Sequence, residues 1–170
     1  MMYIFLDIDG VLTTPKQWNQ RRSSEELMPY PFDKDCVESM NEIIAMATYD
    51  TQFILSSDWR NYYDKDTMNK IFHFSGMPKI ISDMCRSSLG YIERGQLISE
   101  YIKKHTNIDD TCIIIDDIPL LTVVLSGRKG CIFTTNDEVG LADKDVTRAI
   151  LIYMNDYYLS QNEYIRTDRV

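Results

Sequence analysis

Apolar residues occur along this chain in two patterns, and the patterns alternate. The first is a short unbroken run: residues 3–6 stopping at Asp7, 52–55 stopping at Ser56, 111–115 stopping at Asp116 and Asp117, and 131–133. A β-rich run without polar alternation suits a strand covered on both faces. Ile80-Ile81 predicts a further short strand. The second pattern is helical. Val37, Met40, Ile43, Ile44 and Ala47 recur at helical spacing, so a helix is expected over about 34–49, with Phe32 as staple and Asp33 as N-cap. Further helices are expected over about 62–74, around Ile92–Ile102, over 119–125 and over about 143–159. Lys103, Lys104 and His105 suit the C-terminal end of the second of these.

Strands alternating with helices imply βα units and a mostly parallel central sheet in a three-layer, Rossmann-like α/β fold. Residues 13–31 are polar and uneven, a long loop or short flap after the first strand, and the polar tail from about 161 to 170 is expected to fray. The 170 residues, 44% hydrophobic and 26% charged, suit one domain spanning 1–170. No apolar run nears the ~20 residues of a membrane span, and no export signal opens the chain. A cytoplasmic location is therefore expected. Cys36, Cys85, Cys112 and Cys131 lie far apart with no C-x-x-C pair, which gives zinc little support. The net charge of −8 argues against a broad basic surface, though not against a local patch.

In a parallel sheet, ligands bind where the strands' carboxyl ends converge. Here those ends carry Asp7 and Asp9, then Ser56, Ser57 and Asp58, then Asp116 and Asp117. Taken singly, each acid has an ordinary reading as a turn residue or helix cap. Together, four such carboxylates facing one crevice repel unless a cation sits between them, and an oxygen-preferring divalent ion such as Mg²⁺ is the natural choice. Alternation places Asp7 and Asp9 on one side of the departing chain, and Gly10 permits a sharp exit.

The motif D-I-D-G-V at residues 7–11 resembles the nucleophile motif of the haloacid dehalogenase superfamily of phosphohydrolases. Three further motifs follow in that superfamily's order: F-I-L-S at Ser56, E-R-G-Q-L-I with Arg94, and I-I-I-D-D at Asp116 and Asp117. The resemblance runs from Ile4 to about Ile152. S-S-D-W-R, R-G-Q-L-I-S-E-Y-I and G-L-A-D-K-D-V are similar to the capless branch associated with nucleic-acid repair.

What the resemblance implies is a Mg²⁺-dependent phosphomonoesterase. Asp7 would be the nucleophile and Asp9 the general acid, then base, with its backbone carbonyl on the metal. Ser56 would bond a phosphoryl oxygen, Arg94 would balance charge, and Asp116 with Asp117 would hold the metal. The superfamily often carries Lys where this chain has Arg94; Lys79 is an alternative. No interval has room for a cap, so the site should be open to bulky substrates, such as a nucleotide or an oligonucleotide end. Gly10, Ser57, Trp59, Arg60 and Trp18 are the candidate substrate contacts, the tryptophans by stacking and Arg60 by backbone contact. For Trp59, core packing is the competing reading. Arg21 and Arg22 could serve likewise or pair with Glu25 and Glu26. No obligate protein partner is evident. The alternatives are a phosphatase of another metabolite or of protein, a silent phosphate-binding or receiver-like module, or a two-metal nuclease.

Overall fold

The computed structural model describes residues 1–16, 32–87, 92–120 and 122–167, with side chains as far as Gln161. Five parallel strands form one sheet: β1 (Met2–Leu6), β2 (Thr51–Leu55), β3 (Ile81–Met84), β4 (Thr111–Asp116) and β5 (Lys129–Thr134), in the order β3-β2-β1-β4-β5. Every residue of β1 and β4 is buried, as continuous apolar runs require of central strands, whereas the edge strands β3 and β5 are only partly covered. The order reverses between β1 and β4, the position where an open α/β sheet leaves a crevice.

Four helices are present among the described residues: α1 (Lys34–Met46), α2 (Lys65–Phe74), α3 (Arg94–His105) and α4 (Lys144–Thr167). Side-chain alternation sorts them into layers. Met2, Ile4 and Leu6 of β1 join Phe53, Leu55, Ile113 and Ile115 on one face, against Met40 and Ile43 of α1, Phe72 of α2 and Ile150 of α4. Tyr3 and Phe5 join Ile54, Cys112 and Ile114 on the other, against Leu97, Ile98 and Ile102 of α3. Leu6 pairs with both Leu55 and Ile115. One residue further on, Asp7, Ser56 and Asp116 therefore fall to the opposite, α3 face at adjacent strand ends.

The caps bear out part of the sequence reading. Asp33 accepts a hydrogen bond from the Asp35 N–H at 3.0 Å and starts α1 at Lys34. Asp64 does the same for Thr67 at 2.8 Å, so α2 begins at Lys65 rather than 62. Residues 119–125 are not the expected helix: none of the described ones is helical, and Leu120, Val123 and Leu125 instead pack on the α3 face as irregular chain. Two turns built on Thr122-Val123-Val124 would not offset helix nucleation and β-branched crowding. The last helix runs on to Thr167, past the expected end near 159, because neither Gly nor Pro interrupts residues 144–167. The expected flap lies mostly outside the described residues, with Trp18, Arg21, Arg22, Glu25 and Glu26. Its base is tied, however. The Asp33 N–H donates to the Leu12 carbonyl at 2.7 Å, and Thr14 Oγ1 donates to Asp33 Oδ2 at 2.9 Å.

Candidate active site

The sheet ladder continues one residue beyond β1 and β2. The Asp7 N–H donates to the Ile115 carbonyl and the Ser56 N–H to the Leu6 carbonyl, each at 3.0 Å, which fixes both side chains at the crevice. Asp7 is 1% exposed, and Ser56 and Asp116 are fully buried. Arg94, the first residue of α3, reaches across them. Its Nη1 donates to Asp7 Oδ2 and to both Asp116 oxygens, at 3.1 and 3.0 Å for the latter, while Nη2 lies 3.7 Å from Asp58 Oδ2. Lys79, the alternative cation, is exposed and precedes β3, at the opposite end of the sheet.

Asp117 joins Asp7 and Asp116 in a group whose carboxylate oxygens lie within 4.8 Å of one another, the only His, Cys, Asp or Glu group so placed among the described residues. Gly10 makes room for it. Its φ is +72°, and a Cβ there would stand 2.6 Å from the Asp117 side chain, so the turn and the close approach both require glycine. The Asp9 carboxylate, for which the resemblance implies proton transfer rather than metal binding, lies outside this group. That carboxylate is exposed, accepting from Thr13 Oγ1 at 3.1 Å and from Trp59 Nε1 at 3.0 Å. Hydrogen bonding to two donors on its own loop and the next draws it away from the metal-type cluster.

The candidate substrate contacts after β2 are occupied with building their loop. Ser57 caps the short turn Asp58–Asn61 by accepting from the Trp59 N–H at 3.4 Å. Arg60 Nη1 donates to the Ser56 carbonyl at 2.6 Å and pairs with Asp58 Oδ1 at 3.0 Å. The Trp59 ring meets Phe32 and Tyr63 at centroid distances of 5.8 and 5.7 Å. It is half-buried packing, the competing reading for this residue, and its N–H, to which the sequence reading gave no role, is bonded to Asp9. Thr13 was missed, and Asp58, named among the strand-end residues, was given no role. Asp58 sits two residues after Ser56 in S-S-D-W-R, where a second charged group near the crevice was legible. Trp18 lies outside the described residues.

The electrostatics follow from the burial. Loss of solvent, then repulsion from Asp116, pushes the Asp7 carboxyl up to about 7, with Arg94 pulling against both. Burial likewise raises Asp116, again opposed by Arg94. For Arg94, burial works against the charge, but Asp7 and Asp116 outweigh it and hold the guanidinium above its usual range. The site is thus short of positive charge even with Arg94 in place. Two buried oxygens, Asp7 Oδ1 and Ser56 Oγ, have no hydrogen-bond partner among the described residues. Buried polar atoms are seldom left so without a ligand to meet them. Three clustered carboxylates are hard oxygen donors, and they fit a Mg²⁺-like cation.

Compared with known families, residues 3–146 match the one described as the HAD domain in Swiss Army Knife RNA repair proteins. The chain belongs to that family. No curated protein and no solved structure matches it. The match runs from β1 into α4 and so takes in the whole sheet together with Asp7, Ser56, Arg94 and Asp116. Family membership makes this a haloacid dehalogenase-type domain, phosphohydrolase in kind, from an RNA repair setting. No described helix is long and apolar enough to cross a membrane.

Proposed function

We propose that this domain is a Mg²⁺-dependent phosphomonoesterase that removes a terminal phosphate from a nucleotide or a nucleic-acid end. The observation that carries the reading is the single Arg94 nitrogen shared by Asp7 and Asp116 across the β1–β4 switch point. It holds one carboxylate for attack beside a second suited to a cation, with the unpartnered Ser56 hydroxyl alongside.

Asp7, Asp116 and Asp117 would hold the cation, joined by the backbone carbonyl of Asp9. When bound, the ion supplies positive charge for the phosphoryl oxygens and lowers the cost of keeping Asp7 ionised. The Asp7 carboxylate attacks phosphorus, and the bond to the leaving oxygen breaks as Asp9 gives that oxygen its proton. The product is an aspartyl-phosphate. Asp9, now a carboxylate, takes a proton from water, whose oxygen attacks the same phosphorus and frees Asp7 and inorganic phosphate. Thr13 and Trp59 orient Asp9 through both transfers, and its exposure suits a group that must meet both leaving group and water. Ser56 and Arg94 donate to phosphoryl oxygens.

The interval from Arg94 to Asp116 holds only α3, a turn and β4, so no cap is inserted there, which favours substrates with bulky ends. The test is phosphate release with and without Mg²⁺ from 3′- and 5′-phosphorylated oligonucleotides, mononucleotides, sugar phosphates and phosphopeptides, with Asp7→Asn as control. Release that is Mg²⁺-dependent, lost in the control and fastest on a nucleic-acid substrate is expected. Full activity in Asp7→Asn would overturn the nucleophile, and preference for a small sugar phosphate would overturn the open-site argument.

A further inference from the structure

Beside Arg94 the surface carries two cavities, of about 370 and 460 Å³, each of a size that holds a small ligand, ~300–1,000 Å³. The first is bounded by Asp58, Arg60, Arg94 and Pro119, the second by Arg60, Asn61, Cys85 and Arg86. Arg60 and Ile92 line both, so the two make one groove leading from the candidate active site past the end of β2 to the end of β3.

The cations along this groove differ in what already binds them. Arg94 is held by three carboxylates, and Arg60 by the Ser56 carbonyl and Asp58. Arg86 is exposed and forms no ion pair among the described residues. Among the described residues its Nη2 donates only to the Met84 thioether at 3.7 Å, a weak acceptor. Asp64 feels the Arg86 charge but uses its own carboxylate to cap α2. Three guanidinium groups therefore line one face of a chain whose net charge is −8, and the one farthest along from the catalytic carboxylates has no anionic partner among the described residues. A planar guanidinium in that state suits a phosphate oxygen pair. Ile92 and Leu97 give the same groove apolar wall for sugar and base.

We propose that this groove is a subsite for the strand behind the terminal phosphate of a single-stranded oligonucleotide, with Arg86 binding an internal phosphodiester and Arg60 shaping the passage to it. The proposal rests on the phosphatase reading above and sharpens its substrate to an oligonucleotide rather than a free nucleotide. The internal phosphate takes no part in bond making; it fixes the register so that the terminal phosphate reaches Asp7.

The experiment has two arms, both on the full chain with Arg86→Gln and Arg86→Lys beside wild type. The first compares kcat/KM for a short end-phosphorylated oligonucleotide and the matching mononucleotide. Wild type should favour the oligonucleotide by about tenfold or more, and Arg86→Gln should collapse that ratio while Arg86→Lys retains part of it. The second measures binding of the same oligonucleotide to the Asp7→Asn protein across a salt series. Adding Arg86→Gln should weaken binding and reduce the salt slope by about one ion. Equal handling of both substrates by wild type, or binding indifferent to Arg86→Gln, overturns the subsite and leaves the phosphatase reading standing. Arg86-dependent binding without turnover of either nucleic-acid substrate supports the subsite and overturns the phosphatase reading instead.

Discussion

Replacing Asp7 by Asn should stabilise the metal-free protein while abolishing turnover. The carboxyl is 1% exposed, and burial with the adjacent Asp116 raises it from the usual 3.8 to about 7. At ~1.4 kcal/mol per pH unit between those values, its ionised form is disfavoured by ~4 kcal/mol in the fold. Asn carries no charge to strain but weakens the bond to Arg94. That loss is already contained in the raised pKa, because Arg94 opposes the shift, so the gain over the ionised carboxylate stays at ~4 kcal/mol. Arg94 still keeps both Asp116 oxygens. The net is ~4 kcal/mol at pH 8, or about 12 °C in Tm for a chain of this length. The sign follows from the raised pKa. The native state binds the proton more tightly than the unfolded chain, so this contribution is fully present below pH 3.8 and is lost as pH rises through about 7. The gap between variant and wild type should therefore be negligible near pH 4 and full by pH 8. Thermal or urea melts in EDTA across that range measure it, and Mg²⁺ should then narrow the gap by stabilising wild type more. A variant melting at or below wild type at pH 8 in EDTA would refute the reasoning, because the Arg94 pairing would then outweigh the burial cost.

Ser56→Ala should lower kcat about a hundredfold, the order expected for losing one donor to a developing oxyanion, yet leave Tm unchanged or slightly raised, since its buried hydroxyl lacks a partner; steady-state kinetics with melts separate the two effects. Trp59→Phe keeps a ring against Phe32 and Tyr63 but deletes the N–H bonded to Asp9, so kcat should fall about tenfold with little change in KM. An unchanged kcat would reduce Trp59 to packing. Gly95→Ala should cost ~1–3 kcal/mol because its Cβ would lie 2.1 Å from Thr122 Oγ1. Thr122→Ala should rescue it in a double-mutant cycle, where the helix preference for Ala over Gly becomes visible.

The strand ends could be read from the chain because burial on both faces leaves a signature, an apolar run halted by a polar or charged residue. Alternation then carries Asp7, Ser56 and Asp116 to one face without further information. What escaped was tertiary. Trp59 lies 50 positions from Asp9, and nothing in the spacing of either says that an indole N–H will meet that carboxylate. The same holds for Arg60, whose guanidinium turns back to the Ser56 carbonyl four residues earlier, so that a residue of nucleic-acid-binding type becomes a loop brace. Residues 119–125 misled for a different reason. A run of seven with five aliphatic positions fits a helix or any chain laid on a hydrophobic face, and here contact with α3 decided. Gly95 is the local trace of that contact, since only glycine lets Thr122 approach α3 so closely.

An arginine rather than a lysine at position 94 bears on how an acidic chain can manage an anionic substrate. A lysine is a single point charge. The Arg94 guanidinium instead places one nitrogen between Asp7 and Asp116 and turns another toward Asp58, so that it links the ends of β1 and β4 to the loop after β2. It also stands at the start of α3, where free N–H groups add partial positive charge. Asp58 in turn pairs with Arg60, which extends the alternation of acid and base outward along the groove to Arg86. Charge is thus compensated locally, residue by residue, while the chain as a whole remains at −8. Such an arrangement favours the end of a strand, presenting one terminal and one internal phosphate, over a long duplex whose many phosphates would meet the unbalanced carboxylates beyond the groove.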